Sequence, residues 1–380
     1  MDQPPLPFID LQSQRTRIAD AVEAAVLNVV RGGRYILGPE VGELERALAD
    51  YCGARHCLTC ASGTDALALF LMAKGLRTGD AVVCPAFTFA ATAEVVAWLG
   101  ASPVFCDIDP DTFCLDPASV RRALATAEAE GLKPRGIIAV DLFGHPGDYD
   151  ALVPIAREHG LWLLDDAAQG FGATYRGRRI GTFGDFSATS FFPAKPLGCY
   201  GDGGAVFFED DTLVEELTSL RVHGQGQDKY DNVRIGMNGR MDTIQCAVVL
   251  EKLKIFDDEI AARNRIAARY AETLGDVVKA PTVAADCTSI WAQYTVVLPE
   301  GTDRPAIQAK LQADGIPTAV YYGKPMHRQT AYARYPAAGN GLPIAEDYAV
   351  RVLSLPMHPY LAAADQDRVV RALRAALNAG

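Results

Sequence analysis

The stretch Gly136–Asp166 reads GIIAVDLFGHPGDYDALVPIAREHGLWLLDD, and it decides the fold. It opens with an apolar, strand-like run at Gly136–Leu142 and closes with another at Leu161–Asp165. Between them, Tyr149–His159 has its apolar residues at helical spacing. Two apolar strands joined by a helix are typical of a parallel βαβ unit, so the stretch predicts an α/β protein.

The same alternation extends from about residue 56 to residue 208. The further strand candidates are His56–Ala61, Ala81–Pro85, Pro103–Ile108, Ser187–Phe192 and Ala205–Phe208. The further helix candidates are Asp65–Lys74, Thr92–Leu99 and Pro117–Glu130. The pattern predicts a mainly parallel, seven-stranded sheet with helices on both faces, and ligands bind such sheets at the carboxyl ends of the strands.

The remainder of the chain predicts a second, smaller α+β domain. A long amphipathic helix, interrupted or continuous, runs from Thr243 to about Leu274. Strand candidates follow at Trp291–Leu298 and Ala319–Tyr322, and helix candidates at Arg304–Asp314 and Ala362–Leu377. We therefore predict a large domain at 1–255 and a small C-terminal domain at 256–380.

The overall composition excludes several classes of partner. The 380 residues carry a formal net charge of −11 without a dense Lys/Arg run, which argues against nucleic acid and against an anionic membrane surface. The first 15 residues lack an apolar signal core, and no segment reaches the ~18 consecutive apolar residues of a membrane span. The nine cysteines predict reduced thiols and a cytoplasmic protein. Cys57 and Cys60 lack a second pair at metal spacing, so no metal is expected.

Lys195 is the first candidate catalytic residue. It follows an apolar strand and precedes a glycine-rich turn, in SFFPAKPLGCYGDGG at Ser190–Gly204. Burial at such a position lowers the pKa of a lysine and makes its amine nucleophilic, as a Schiff base requires. A solvated surface lysine is the alternative, and only the surrounding motifs decide between the two.

Two adjacent acids, Asp165 and Asp166, lie at the end of the strand candidate Leu161–Asp165. A carboxylate against the ring nitrogen of pyridoxal phosphate (PLP) keeps that nitrogen protonated and makes the ring an electron sink. A helix N-cap is the alternative for either residue. We assign the cofactor role to Asp166 and leave both interpretations open for Asp165.

Two weaker signals are consistent with a phosphate and a flat ring. The small-residue turn at Ala61–Ala66, ASGTDA, lies between a strand and a helix, where free backbone N–H groups bind phosphate. The segment Pro85-Ala-Phe87-Thr88-Phe89 places an aromatic residue at the end of the next strand. Core packing is the commoner role of such an aromatic residue.

Together these motifs resemble the DegT/DnrJ-type family of sugar-nucleotide aminotransferases, which are fold-type I PLP enzymes. The resemblance runs from Phe8-Ile-Asp-Leu11 and Tyr35-Ile-Leu-Gly-Pro-Glu-Val41 to Leu353-Ser-Leu-Pro-Met-His-Pro-Tyr360. It implies PLP as the cofactor, glutamate as the amino donor, a nucleotide-linked keto sugar as the acceptor and a homodimer with composite sites.

The resemblance also implies a role for each matching residue. Lys195 would link to the cofactor and move a proton, Asp166 would pair with the ring nitrogen, Gln169 would lie near the ring hydroxyl and Phe89 would stack on the ring. Gly63, Thr64 and Ser190 would bind the phosphate. Asn238, in Gly236-Met-Asn-Gly-Arg240, would reach the phosphate of the neighbouring subunit.

The implied substrate is UDP-2-acetamido-2-deoxy-3-oxo-glucuronate, used in O-antigen synthesis. Its carboxylate needs a charged partner, and Arg240 is our candidate; a structural salt bridge is the alternative. Where the family tends to have Tyr-Pro-x-Pro-Leu-His, this chain has YYGKPMH at Tyr321–His327. We expect Tyr321, Tyr322 and His327 to line the sugar pocket.

Three other functions remain as alternatives. The first is an aminotransferase acting on a 4-keto-6-deoxy hexose. The second is a PLP-dependent sugar dehydratase, a class that has histidine in place of Lys195. The third is a regulatory PLP protein, for which no residues remain to build a DNA-binding domain.

Overall fold

The computed structural model describes residues 4–228 and 230–378. Its strands are β1 (His56–Cys60), β2 (Asp80–Pro85), β3 (Ser102–Cys106), β4 (Lys133–Val140), β5 (Trp162–Asp166), β6 (Thr174–Tyr175), β7 (Arg178–Arg179), β8 (Phe186–Ser190), β9 (Gly204–Phe208), β10 (Cys287–Thr288), β11 (Tyr294–Val297) and β12 (Val352–Leu355).

Thirteen α-helices lie within the described residues. They are α1 (Leu11–Arg17), α2 (Ala19–Gly32), α3 (Pro39–Cys52), α4 (Gly63–Ala73), α5 (Ala91–Trp98), α6 (Pro117–Ala129), α7 (Tyr149–Glu158), α8 (Leu213–Arg221), α9 (Thr243–Leu253), α10 (Phe256–Leu274), α11 (Arg304–Ala313), α12 (Pro343–Arg351) and α13 (Ala363–Asn378). Short 3-10 turns occur at Leu142–Gly144 and Met326–Arg328. No helix in the described ranges is both long and apolar enough to cross a membrane.

The central sheet has seven strands in the order β1-β9-β8-β5-β4-β2-β3. Strands β8, β5, β4, β2 and β3 pair in parallel, whereas β9 pairs antiparallel with both β8 and β1. The predicted mainly parallel, seven-stranded sheet is therefore confirmed. Its parallel strands end at one edge, which brings the residues after β1, β2, β5 and β8 to the same side of the molecule.

Local signals in the sequence fix several helix starts. The side chain of Ser62 accepts a hydrogen bond from the N–H of Asp65 and caps α4. Asp116 caps α6, whose first residue is Pro117, and Asp148 caps α7. A side-chain acceptor satisfies an N–H group that has no partner inside the helix, which favours a helix start at that residue.

One predicted strand is absent from the structure. The segment Ala319–Tyr322 is not a strand, because only Ala319 makes an isolated bridge, to Ser354 of β12. Of the two alternatives for the amphipathic helix, the structure has the interrupted one, because α9 ends at Leu253 and α10 begins at Phe256. The small sheet of the C-terminal part consists of β11 and β12 alone.

The described chain has two apolar cores. The larger one surrounds the seven-stranded sheet, and the smaller one packs α10, α11 and α13 against β11 and β12. Met326 and Tyr348 belong to the larger core although they follow residue 255. The division into 1–255 and 256–380 stays a prediction.

Candidate active site

Lys195 lies just beyond β8, at the edge of the sheet where the parallel strands end. Its backbone N–H donates to the carbonyl of Phe192, which folds the chain back after the strand. The side chain is half-buried, and desolvation lowers the pKa of its amine to about 8, while Asp166 acts in the opposite direction. Lys195 is therefore far closer to the neutral, nucleophilic form at neutral pH than an ordinary lysine.

Asp166 is the last residue of β5 and is 5% exposed. Its Oδ2 accepts a hydrogen bond of 2.9 Å from the hydroxyl of Thr92, and its Oδ1 accepts one of 3.3 Å from the N–H of Ala168. Burial raises the pKa of Asp166, and these hydrogen bonds and Lys195 oppose that effect. The N-cap interpretation is wrong for Asp165 and Asp166, because turns and no helix follow β5.

Gly63 and Ser190 lie side by side at the predicted phosphate site. A Cβ atom added to Gly63 would lie 2.6 Å from Cβ of Ser190, so only glycine fits there. Gly63 and Thr64 open α4, and the first N–H groups of a helix have no partner inside it. The result is a cradle of backbone donors, the positive end of a helix dipole and a serine hydroxyl, which suits a phosphate dianion.

A second group of side chains connects to the opposite side of the site. Gln169 is buried; its Oε1 accepts from the N–H of Phe143 at 2.9 Å, and its Nε2 donates to the hydroxyl of Tyr322 at 3.2 Å. The ring of Phe89 is 56% exposed and lies 6.5 Å from that of Tyr322, centroid to centroid. An exposed ring at this position has a free face on which a flat cofactor can stack.

Asn238 and Arg240 lie beside β1 of their own subunit. The carbonyl of Gly239 accepts a hydrogen bond from the N–H of Ala61 at 2.9 Å, next to the cradle. Asn238 is exposed, and Arg240 is half-buried with a buried Nε that lacks a hydrogen-bond partner within the described chain. No salt bridge is found for Arg240 among the described residues.

The segment at Tyr321–His327 divides into two parts. Tyr321 and Tyr322 stack edge to face at 5.7 Å. Nε2 of His327 lies 2.9 Å from Oε1 of Glu346, so this ring nitrogen already has a partner. Lys324, which our sequence analysis did not single out, lines an open cavity of about 530 Å³ next to Tyr322.

Thr92 is a further site residue that sequence analysis missed. Its hydroxyl donates to Asp166 and lies 3.2 Å from the hydroxyl of Thr88. Thr88 and Thr92 are four residues apart, flanking the start of α5. The only sequence signal for this contact was the pair of threonines directly after Phe87. Nothing in the local sequence connects them with Asp166, which lies 74 residues after Thr92.

These features fit PLP as a set. A Cβ atom at Gly63 would collide with Ser190 in the cradle, the ring of Phe89 is exposed, and Asp166 is a buried acid held by neutral donors. The amine of Lys195 interacts electrostatically with Asp166. The arrangement can therefore hold a phosphorylated aldehyde, fix a proton on its ring nitrogen and supply an amine to its carbonyl carbon.

Comparison with known proteins gives a consistent result. Residues 16–374 match the DegT/DnrJ/EryC1/StrS aminotransferase family. The UDP-2-acetamido-2-deoxy-3-oxo-D-glucuronate aminotransferase of Pseudomonas aeruginosa is 47% identical over 355 residues, covering 93% of this chain and 95% of the relative.

Two solved structures extend the comparison to the fold. A DegT DnrJ EryC1 StrS aminotransferase from Brucella abortus has a TM-score of 0.95 and 52% identity, covering 97% of this chain and 99% of the other. NtdA from Bacillus subtilis, with bound cofactor PMP, has a TM-score of 0.89 and 29% identity, covering 100% of this chain and 86% of the other.

Proposed function

The chain belongs to the DegT/DnrJ/EryC1/StrS aminotransferase family, and from this premise we propose how its site works. The protein is a PLP-dependent aminotransferase that acts on a nucleotide-linked keto sugar. PLP, when bound, supplies the ring that accepts electrons during the transfer. The observation that carries our assignment of residues is Lys195 beside the buried, hydrogen-bonded Asp166.

Lys195 and Asp166 have complementary tasks in this proposal. The amine of Lys195 attaches the cofactor and later carries a proton to or from the reacting carbon atom, for which a pKa of about 8 is suitable. Asp166 holds the proton on the ring nitrogen. Gly63, Thr64 and Ser190 hold the phosphate, Phe89 covers one face of the ring and Gln169 lies near the ring hydroxyl.

The proposed amino acceptor is UDP-2-acetamido-2-deoxy-3-oxo-D-glucuronate, with glutamate as the donor. The 47% identity to the Pseudomonas aeruginosa enzyme supports this choice. The carboxylate of such a sugar needs a cationic partner. His327 is engaged by Glu346, which leaves Arg240 and the cavity-lining Lys324 as the candidates, with Tyr321 and Tyr322 beside the sugar.

We propose that two copies of the chain form a dimer with shared active sites. Phe192 and Phe89, next to the site, are 52% and 56% exposed, and Ile36 and Ile235 are 51% and 92% exposed. Ile36 forms an isolated bridge to Asp242, four residues beyond Asn238. Exposed apolar side chains near a site are typical of an interface, and in an isologous dimer the same side chains of both copies would be covered.

We further propose that the enzyme works in the cytoplasm, in the synthesis of surface polysaccharide such as the O-antigen. All nine cysteines are free thiols, which is the state expected in a reducing compartment. The Pseudomonas aeruginosa relative supports a uronic-acid sugar as the substrate, and such sugars are components of surface polysaccharides.

A substrate panel tests the proposed function. The purified holoenzyme is incubated with glutamate and one of three acceptors: the UDP-linked 3-oxo glucuronate, its analogue without the carboxylate, or a nucleotide-linked 4-keto-6-deoxy hexose. Mass spectrometry then detects the amino sugar, with Lys195→Ala as the inactive control. We expect conversion of the glucuronate and weak conversion of its analogue.

Other outcomes would replace parts of this proposal. Preferential conversion of the 4-keto sugar would overturn the substrate, and loss of a hydroxyl group instead of amination would indicate a dehydratase. Borohydride reduction followed by peptide mapping should find the cofactor on Lys195. A label on another lysine would overturn the assignment of the site.

The two cationic candidates can be separated in the same assay. Lys324→Met and Arg240→Met are compared for KM with the glucuronate and with its uncharged analogue. Replacing the residue that binds the carboxylate should raise KM about tenfold or more for the glucuronate and leave KM for the uncharged analogue unchanged. The reason is that a hydrogen bond to a charged group contributes roughly 1.5–3 kcal/mol. Equal effects on both acceptors would assign the residue another role.

A further inference from the structure

Two carboxyl groups that have no place in the proposed mechanism lie directly behind Asp166. Asp141 follows the last residue of β4, and Asp165 precedes Asp166 in β5. Both are 0% exposed. The N–H of Asp141 donates to the carbonyl of Asp166 at 3.1 Å, so this pair is part of the same strand ends that hold the cofactor-facing acid.

Each of the two carboxyl groups has one satisfied oxygen atom. Oδ1 of Asp141 accepts hydrogen bonds from the N–H of Gly147 at 2.7 Å and the hydroxyl of Tyr149 at 2.8 Å. Oδ2 of Asp165 accepts one from the hydroxyl of Ser187 at 2.8 Å. These donors leave the second carboxyl oxygen of each residue without a hydrogen bond from them.

The two remaining oxygens, Oδ2 of Asp141 and Oδ1 of Asp165, are buried and lack a donor within the described chain. Ala139 of β4 pairs with Asp165 of β5, so Asp141, two residues beyond Ala139, lies on the same face of the sheet as Asp165. A Cβ atom at Gly170 would be 2.7 Å from Oδ2 of Asp141, so backbone closes that side. One proton placed between the two carboxyl groups would satisfy both oxygens.

Within the described residues, no lysine, arginine or histidine forms a hydrogen bond or a salt bridge with either carboxyl group, whose donors are Gly147, Tyr149 and Ser187. The titratable groups that act on the pair or feel its charge are all acids: Asp166 on β5, Tyr149 on α7, and the thiols of Cys52, Cys114 and Cys287. Two adjacent buried carboxylates without a cation cannot both stay ionised. Burial accordingly raises the pKa of Asp141 to about 7 and that of Asp165 well above its ordinary value.

We propose that Asp141 and Asp165 share a single proton, and that the one negative charge they keep is a positioning element behind Asp166 that strengthens proton binding on the cofactor ring. A negative charge there raises the proton affinity of every group at this end of the site. It therefore favours the protonated ring nitrogen on which the proposed function rests.

Asparagine substitutions test how many negative charges Asp141 and Asp165 carry together. An asparagine at either position keeps the shape, and its NH₂ group can donate where the shared proton lies, so each of Asp141→Asn and Asp165→Asn leaves one carboxylate and one neutral group. The double variant Asp141→Asn/Asp165→Asn removes the last charge. Its two amides can still pair if the one at position 165 turns its NH₂ group towards the oxygen of Ser187.

The readout is the pH midpoint at which the visible absorption of the enzyme-bound cofactor changes. Both single variants should keep the wild-type midpoint, and the double variant should lower it by about one unit, the effect of a charge roughly 10 Å away at an effective dielectric constant of about 20. A shift in both single variants would show two charges, and no shift in the double variant would show none; either result overturns the proposal.

Infrared spectroscopy provides a measurement that does not depend on the double variant or on the cofactor. The Asp166→Asn protein, without cofactor and at neutral pH, should show a carbonyl band of a protonated carboxylic acid that disappears in each further single substitution. Absence of this band overturns the shared proton even if the double variant fails to fold. Failure of the protein to bind PLP would instead contradict the proposed function and leave the infrared result valid.

Discussion

The hydroxyl of Thr92 supports the carboxylate of Asp166 through a hydrogen bond of 2.9 Å. The two residues belong to different elements of the fold: Thr92 lies in the first turn of α5, and Asp166 is the last residue of β5. The acid is therefore held by neutral donors, the hydroxyl of Thr92 and the N–H of Ala168. Neutral donors fix its position without adding a charge, as the proposed contact with the ring nitrogen of the cofactor requires.

We expect Thr92→Val to lower kcat by about 10- to 100-fold, because a hydrogen bond to a charged group contributes roughly 1.5–3 kcal/mol. Valine has a similar shape and lacks the hydroxyl. Thr92→Ser, which keeps the donor, is the matched control and should stay within a few-fold of wild type. Steady-state kinetics with glutamate and the keto sugar measure both variants. A fully active Thr92→Val enzyme would mean that Ala168 alone suffices to hold Asp166.

Gly63→Ala should weaken PLP binding by about tenfold or more. The new Cβ atom would lie 2.6 Å from Cβ of Ser190, and overpacking of this kind costs roughly 1–3 kcal/mol. Gly42→Ala, inside α3 with its nearest neighbour at 3.5 Å, is the control and should bind PLP normally. Equilibrium titration of apoenzyme with PLP gives both constants, and unchanged affinity for Gly63→Ala would place the phosphate elsewhere.

The rate at which apoenzyme captures PLP should depend on the protonation of Lys195. Below its pKa of about 8 the side chain is an ammonium ion and cannot attack, so the rate should rise as pH increases through 8 and then level off. Asp166→Asn removes the anion that stabilises the ammonium form and should move the midpoint to lower pH. Stopped-flow absorbance measures both midpoints; one near the ordinary 10.5 would contradict a desolvated Lys195.

Asp166→Asn should retain PLP and lose most of its turnover. The phosphate cradle at Gly63 and Ser190 is untouched, so anchoring should persist. Loss of a preorganised electrostatic contact typically lowers kcat by roughly 10²–10³-fold. The measurements are the visible spectrum for bound cofactor and single-turnover rates with glutamate. Near wild-type rates would transfer the role to another group.

Mixed dimers test whether Asn238 and Arg240 serve the partner's site. One parent is Lys195→Ala and the other is Asn238→Ala/Arg240→Ala, each inactive alone. In a mixed dimer one site receives both defects and the other receives none. Random reassortment of equal amounts makes about half the dimers mixed, so roughly a quarter of wild-type activity should return. No recovery after subunit exchange verified by mass spectrometry would place both residues in their own subunit's site or outside any site.

The sequence by itself determined the order and type of most elements, because these depend on neighbours along the chain. The spacing of apolar residues predicted the alternation from β1 to β9, and the helix predicted at Pro117–Glu130 matches α6 to within one residue. It also predicted that Lys195 and Asp166 belong to one site, since residues that follow parallel strands meet at one edge of the sheet. The strand predicted at Ala319–Tyr322 failed because its apolar residues have only a single bridging partner, Ser354.

Only the tertiary structure decided which side chains support these two residues. Asp141 lies on the same face of the sheet as Asp165 because β4 and β5 are neighbours, and Thr92 reaches Asp166 because α5 begins beside the end of β5. Strand order is set by packing between segments far apart in the sequence, and the local spacing of apolar residues does not predict it. Burial is likewise a property of the assembled core, and it is burial that lowers the pKa of Lys195 and raises that of Asp166.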